Sequence, residues 1–175
     1  MNKTLKDKKA VKKYYDQYYL AEHTEYLTEK RSLAEAKQLI KWMGKKPQSV
    51  CDVSCGNGRH LLAFSKLGIK KGYGFDLSTK LIENAKESLS SNKNYKVEVK
   101  DFNNWQPQKS ANDITYNLFS SFGYCLTNKS AQNLIDNMVK ATKNKGIICI
   151  DCDNIFRLMN YLIKNKSKKD DFYFD

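Results

Sequence analysis

The sequence predicts an α/β fold: a doubly wound, mainly parallel sheet with helices on both faces. Three observations carry the prediction. Strand-like apolar segments alternate with amphipathic helical ones from residue 49 onward, a pattern that requires parallel strands joined by helical crossovers. At Val50-Cys51-Asp52-Val53-Ser54-Cys55-Gly56-Asn57-Gly58 a short strand breaks into a tight glycine turn, and a helix opens at once with Arg59-His60-Leu61-Leu62. Finally, successive strands end in polar residues: Asp52, Asp76, Asp101, Asn117 and Asp151.

Taken in order, residues 5–20 and 29–43 read as helices. The first gathers Tyr14, Tyr15, Tyr18 and Tyr19 at i, i+4 spacing. The second carries the stripe Leu33, Ala36, Leu39, Ile40 and Met43, with Gly44 as its stop signal. Strand one spans about 49–54, after Pro47, and its helix about 57–67, ended by Gly68. Strand two (71–76) is followed by a helix capped by Ser78 and running to about Leu89. Strand three covers about 95–100 and strand four about 113–119. Between them lie only about ten residues, with Trp105 and Pro107, which predicts a loop or single turn rather than a crossover helix. A helix over about 128–143, strand five over about 146–152 and a last helix over about 154–165 complete the reading. Residues 1–45 are expected to form a helical cap and 46–175 the sheet domain, together one structural unit.

Composition sets further bounds. The chain has 175 residues, enough for one domain with an adequate core. No apolar run approaches 18 residues, so no membrane span is expected, and the charged start Met1-Asn2-Lys3-Thr4-Leu5-Lys6 does not read as a signal peptide. A cytoplasmic location is the expectation, with the five cysteines as free thiols. Cys149 and Cys152 have metal-pair spacing but sit in a strand-like run with no further ligands, so no metal is expected. The net charge of +12 raises the question of nucleic acid, but the lysines are spread along the chain and interleaved with acids.

The turn at 52–58 is built to hold a polar cofactor against backbone N–H groups at a helix start. Asp76 follows 18 residues after Gly58 and suits the two hydroxyls of a ribose. A phosphate-binding loop would need Gly-Lys-Ser/Thr, which is absent near Gly58. A dinucleotide fingerprint wants a third glycine where Leu61 stands. What remains is acid-x-G-x-G-x-G, with Ser54 in place of the first glycine. Serine there is expected to be tolerated with some loss of room.

With Asp52, Gly56 and Gly58 in that pattern, the chain resembles the class I S-adenosylmethionine-dependent methyltransferases, whose fold is Rossmann-like. Gly58-Arg59-His60 and Asn117-Leu118-Phe119-Ser120-Ser121-Phe122-Gly123-Tyr124 are similar to one group of small-molecule enzymes, and the resemblance covers roughly residues 28–155. It implies S-adenosyl-L-methionine as cofactor, S-adenosyl-L-homocysteine as product and direct in-line transfer of the methyl group to a small-molecule acceptor. It further implies a cofactor site drawn from Asp52, Ser54, Cys55, Gly56, Gly58, His60, Asp76, Leu77, Asp101, Phe102, Asn117, Leu118 and Phe119, with Arg31 reaching the cofactor's carboxylate and Tyr18 an added contact. Ser120, Phe122 and Tyr124 are expected to face the acceptor. For a catalytic base the candidates are His60, Tyr124 and His23, the last lying between helices that in this family often form a lid.

Two other readings stay open. One is an RNA-modifying methyltransferase using the basic surface; the chain has neither the Pro-Pro-aromatic nor the Pro-Cys motif of base methylases, although Phe122 or Tyr124 would suit a flipped base. The other is a non-catalytic cofactor-binding module. The family's sheet normally has seven strands, whereas five are read here, and Asp171-Phe172-Tyr173-Phe174-Asp175 resembles the start of a sixth. The last strands are therefore expected to be missing.

Overall fold

β1 (Ser49–Val53) is buried at every position, as a strand covered on both faces must be. It sits at the centre of a five-stranded, wholly parallel sheet in a computed structural model that describes residues 8–23, 25, 27–154, 156 and 159–160. The order is β3 (Tyr95–Val99), β2 (Lys71–Asp76), β1, β4 (Asn112–Asn117), β5 (Thr142–Ile150). The chain thus winds outward from β1 in one direction and then in the other, leaving a switch point between β1 and β4.

The helices are α1 (Lys8–Gln17), α2 (Tyr19–Glu22), α3 (Glu29–Met43), α4 (Arg59–Lys66), α5 (Thr79–Ser88) and α6 (Asn128–Ala141). α3, α4 and α5 cover one face, where Ala36, Leu39, Leu61, Phe64 and Ile82 pack with Val50, Ile114 and Tyr116. α6 covers the other, where Leu134, Met138 and Ala141 meet Cys51, Val53, Phe75 and Trp105. Helices lie on both faces, as the alternation required. Through Ala36 and Leu39, α3 belongs to the same core as the sheet.

Side-chain caps set the helix starts. Thr28, Ser78 and Thr127 each accept an N–H three residues on. Gly58 starts α4 at φ +75°, and a side chain there would press on Ala85. Gly74 carries no side chain because one would strike Leu61 and Cys55. Between β3 and β4 there is only a single 3-10 turn, Phe102–Asn104, as the short connection predicted.

Three boundaries differ from expectation. The first helix is broken at Tyr18, with α2 as a separate turn. β4 stops at Asn117, because Phe119 and Ser120 take left-handed backbone angles of +60° and +58°. β5 begins at Thr142 instead of 146. There the Thr142 hydroxyl donates to the Met138 carbonyl and accepts from the Thr115 hydroxyl, ending the helix and starting the strand in one residue. Lys145, at φ +62°, and Gly146 absorb the resulting irregularity against β4. The predicted last helix, after Asn154, and the expected sixth strand at 171–175 fall largely or wholly outside the described residues.

At the opposite end of the sheet from the site, Asp113 clamps β1 to β4. Its carboxylate accepts from the Gln48 and Ser49 N–H groups and pairs with Lys143 at 3.0 Å. Burial opposes its ionisation, but these donors outweigh burial and hold its pKa below the usual carboxylate range. A depressed pKa stabilises the fold above the unfolded value of about 4, and the gain is lost as pH falls through the folded value. Asp113→Asn should therefore cost about 1–2 kcal/mol at neutral pH. In thermal melts, the gap to wild type should close as pH falls below about 4.

Candidate functional site

The carboxyl ends of the strands converge where a parallel sheet leaves a crevice at its switch point. The glycine loop starts with Ser54 at φ +65°, in the position the motif reserves for glycine. A left-handed serine costs about 1–2 kcal/mol, which is the physical reason for glycine there. The Cys55 N–H extends the ladder to the Phe75 carbonyl at 2.9 Å, and the Gly58 N–H closes the turn onto the Cys55 carbonyl.

Asp76 holds this loop in place. One carboxylate oxygen accepts the Gly56 N–H and the other the Ser78 N–H, both at 2.9 Å. Burial raises its pKa, and the N–H groups of Ser78, Gly56 and Leu77 work against the rise. Each oxygen keeps a lone pair for a further donor.

The cavity above the loop is lined by Asp52, Ser54, Cys55, Gly56, His60, Asp76, Leu77, Asp101, Phe102, Leu118 and Phe119, so most of the expected cofactor residues come together. Four do not line it: Tyr18, Asn117, Gly58 and Arg31. Tyr18 is half exposed and stacks on Tyr14; its helical neighbours Tyr15 and Tyr19 line the cavity instead. The Asn117 side chain is buried and donates to the Val53 carbonyl at 2.9 Å, tying β4 to β1 beneath the cavity. Gly58 packs against Ala85 at the start of α4.

A second cavity adjoins the first and shares Tyr15, Tyr19, Phe119 and Tyr124 with it. Its other walls include His23, Arg31, Ser120, Asp151 and Asp153. The expected carboxylate partner Arg31 therefore stands at the junction, on the outer side. Phe122 packs into the core under α6 rather than lining either cavity.

α1 borders the first cavity through Tyr15 and is anchored at three places. Lys8 pairs with Asp101 at 2.6 Å. Asp16 accepts from the Ser78 hydroxyl and the Lys80 N–H at the start of α5. Tyr15 donates to the Tyr124 hydroxyl at 2.8 Å.

Of the two histidines, His60 is buried and its Nε2 lies 2.7 Å from Glu35. Burial lowers its pKa, so the ring is neutral and Nε2–H donates to the carboxylate. Its Nε2 is therefore committed to Glu35. His23 places Nδ1 3.0 Å from the Tyr19 carbonyl, so Nδ1–H donates to it. Burial raises the phenols of Tyr15 and Tyr19, the latter to about 12, so both remain neutral hydrogen-bonding groups.

Asp52 forms the floor. Its carboxyl lines the cavity and is buried beside the Tyr116 hydroxyl. Burial pushes its pKa up to about 8. Among the described residues there is no cluster of side chains able to hold a metal ion, and no helix long and apolar enough to cross a membrane.

Sequence reasoning missed Glu35, Asp16 and Lys8, and it treated Arg59 only as part of a motif. No local signal marked the first three, because each acts on a residue far along the chain.

Comparison with known proteins adds a consistent picture. A family model described as "Methyltransferase domain" matches residues 50–146. The chain is 23% identical over 137 residues to the dTDP-3-amino-3,4,6-trideoxy-alpha-D-glucopyranose N,N-dimethyltransferase of Streptomyces venezuelae, covering 78% of this chain and 54% of that protein. Its fold matches the sugar N-methyltransferase KedS8 of a Streptoalloteichus species with a TM-score of 0.66, at 19% identity, over 79% of this chain and 53% of the other. It also matches CalS10, an amino pentose methyltransferase of Micromonospora echinaspora solved with S-adenosylmethionine bound, with a TM-score of 0.65 at 16% identity, over 78% and 56% of the two chains. The chain spans about half the length of these relatives.

Two tests follow from the loop and its floor. Ser54→Gly should relieve the left-handed serine and raise stability by about 1 kcal/mol in denaturant unfolding. A carboxyl with a raised pKa favours the fold below its unfolded pKa of about 4 and loses that contribution as pH rises through the folded value. Asp52→Asn should accordingly gain in melting temperature relative to wild type between about pH 5 and pH 8; a constant difference would contradict the burial of an uncompensated carboxyl.

Proposed function

Because the chain belongs to the methyltransferase-domain family, we propose that it catalyses transfer of a methyl group from S-adenosylmethionine to a small-molecule acceptor. The observation that carries this reading is the pair of cavities meeting at Tyr15, Tyr19, Phe119 and Tyr124. One is walled by the glycine loop and the strand-end acids; the other has room for a second reactant beside it.

The residues of the first cavity fit the cofactor. Asp76 offers its remaining lone pairs to ribose hydroxyls, and Phe102 offers a ring face to adenine beside the Asp101 carboxylate. The Asp52 carboxyl lies at the floor. Lys8 now occupies Asp101 through an ion pair whose lysine is mostly exposed, so an adenine amine can replace it at small cost. When bound, S-adenosylmethionine supplies an activated methyl group on a sulfonium and leaves as a neutral thioether.

The chain's own contribution is alignment. Phe119 and Tyr124 belong to both cavities and set the distance between the two reactants; holding a pair in line is worth roughly 7–11 kcal/mol. We assign the proton-accepting role to His23, which lines the second cavity, whereas His60 lines the first and is tied to Glu35.

The acceptor is a small molecule rather than RNA. The described lining of the second cavity includes Asp151 and Asp153 and no lysine, in a chain of net charge +12. A carboxylate-lined wall disfavours a phosphate backbone. The amino-sugar enzymes among the relatives point the same way.

S-Adenosylhomocysteine should bind in calorimetry, and absence of binding at high micromolar concentration would remove the cofactor assignment. RNA, titrated at low salt, should not displace it. With an accepted substrate, His23→Ala should lower kcat by roughly 100-fold or more while cofactor affinity stays unchanged.

A further inference from the structure

The α6 side of the outer strands is left uncovered. α6 packs on β4, β5 and the Phe102–Asn104 turn, and the connection from β3 to β4 holds no helix to shield β2 and β3. A cavity of about 610 Å³ opens there. It is walled by Ser49, Lys71 and Asn112, the first residues of β1, β2 and β4, and by Gln106 and Gln108 of the β3–β4 connection. It therefore lies where the strands begin, at the opposite end of the sheet from the cofactor cavity.

Strand geometry brings lysines to this cavity. Side chains alternate along a strand, so Lys71 shares a face with Tyr73, and Tyr73 is the register partner of Lys96. Lys93 joins them from the turn between α5 and β3. All three are exposed, and none has an ion-pair partner among the described residues. The described lining contains no carboxylate. An adjoining cavity of about 460 Å³ follows the free edge of β3; it shares Tyr73, Lys93 and Lys96 with the first and adds Lys86. Its one carboxylate, Glu98, is already engaged by Lys100 and the Tyr73 phenol.

We propose that this edge of the sheet is a docking groove for a single-stranded nucleic acid, held by its phosphates. Ammonium groups strung along one strip match negative charges spaced along a chain. The exposed side chains of Asn94, Gln106 and Gln108 offer both donors and acceptors, as base edges and ribose hydroxyls do. The two cavities meet around a sheet edge, which a flexible strand can follow and a stiff duplex cannot. A strand held here lies at the far end of the sheet from the cofactor cavity, so it tethers the protein and is not the methyl acceptor. Docking at this edge does not depend on methyl transfer, and it gives part of the +12 net charge a local use.

Fluorescence anisotropy of a labelled oligouridine, titrated with the full chain, tests the groove. Three phosphate contacts to a single strand carry a log–log salt slope of about −2, so affinity should fall by roughly 20-fold or more between about 50 and 200 mM salt. Lys71→Gln, Lys93→Gln and Lys96→Gln combined should weaken binding at about 50 mM salt by roughly 10-fold or more and flatten the slope by about 2. These side chains are exposed, so the combined variant should melt with the wild type. As a control, Lys37→Gln, Lys41→Gln and Lys45→Gln combined remove the same charge from exposed positions on and just after α3. That control should bind within about 3-fold of wild type. Saturating S-adenosylhomocysteine should leave the oligouridine affinity unchanged. A wild-type protein that fails to bind the oligouridine at about 50 mM salt overturns the groove, as does binding of wild-type strength in the groove variant. Equal losses in variant and control overturn it too, because the charge then acts from the whole surface. Competition with S-adenosylhomocysteine would place the strand at the cofactor cavity and overturn it as well.

Discussion

The arrangement of the site depends on one carboxylate bridging two chain segments. Asp76 takes the Gly56 N–H on one oxygen and the Ser78 N–H on the other. The first bond fixes the glycine loop after β1, and the second fixes the start of α5 after β2. Because β1 and β2 are in register along five residue pairs, these two loops are already adjacent, and a single short side chain spans them. Ser78 then accepts the Leu81 N–H and donates to Asp16, so the order imposed by Asp76 passes into α5 and upward into α1. Charge on Asp76 is supported by backbone dipoles alone, which leaves its outer lone pairs available to a ligand.

The fold was legible because its signals are local and periodic. Gly44, Gly68 and the cap at Ser78 mark helix ends through chemistry within a few residues. Strand-end acids were legible for a related reason: in a parallel sheet all strands finish on one side, so sequence position alone places Asp52, Asp76 and Asp101 together. Where the reading failed, the cause was tertiary. Tyr14, Tyr15, Tyr18 and Tyr19 are equivalent in sequence, and only the break at Tyr18 and the docking of α1 decide that Tyr15 and Tyr19 face inward. Asn117 stands at the right end of β4, but its side chain satisfies a Val53 carbonyl instead of facing the cavity. Glu35 lies on an ordinary amphipathic helix; its role exists only because α4 starts with Arg59 and His60 opposite it.

Charge is distributed unevenly between surface and site. The excess of lysine is a property of the outside, whereas the described second cavity has two aspartates and no lysine. The positive charge that does reach the junction is guanidinium, held rigid by Glu35 and by the Phe119 ring. Flexible ammonium groups on the surface favour solubility, whereas the guanidinium groups at the junction are fixed in orientation. Net charge therefore says little about the ligand.

The three ties of α1 have a consequence in time. Lys8 is mostly exposed, so its pairing with Asp101 is weak and further weakened by salt. Asp16 and Tyr15 add two hydrogen-bonded ties, and no residue of α1 is buried. The sheet beneath is held by contrast through fully buried side chains such as Phe64, Phe75 and Tyr116. Segments with few buried contacts open at far lower free energy than the core that supports them. α1 can therefore lift and settle many times within the lifetime of one folded molecule while the sheet stays whole.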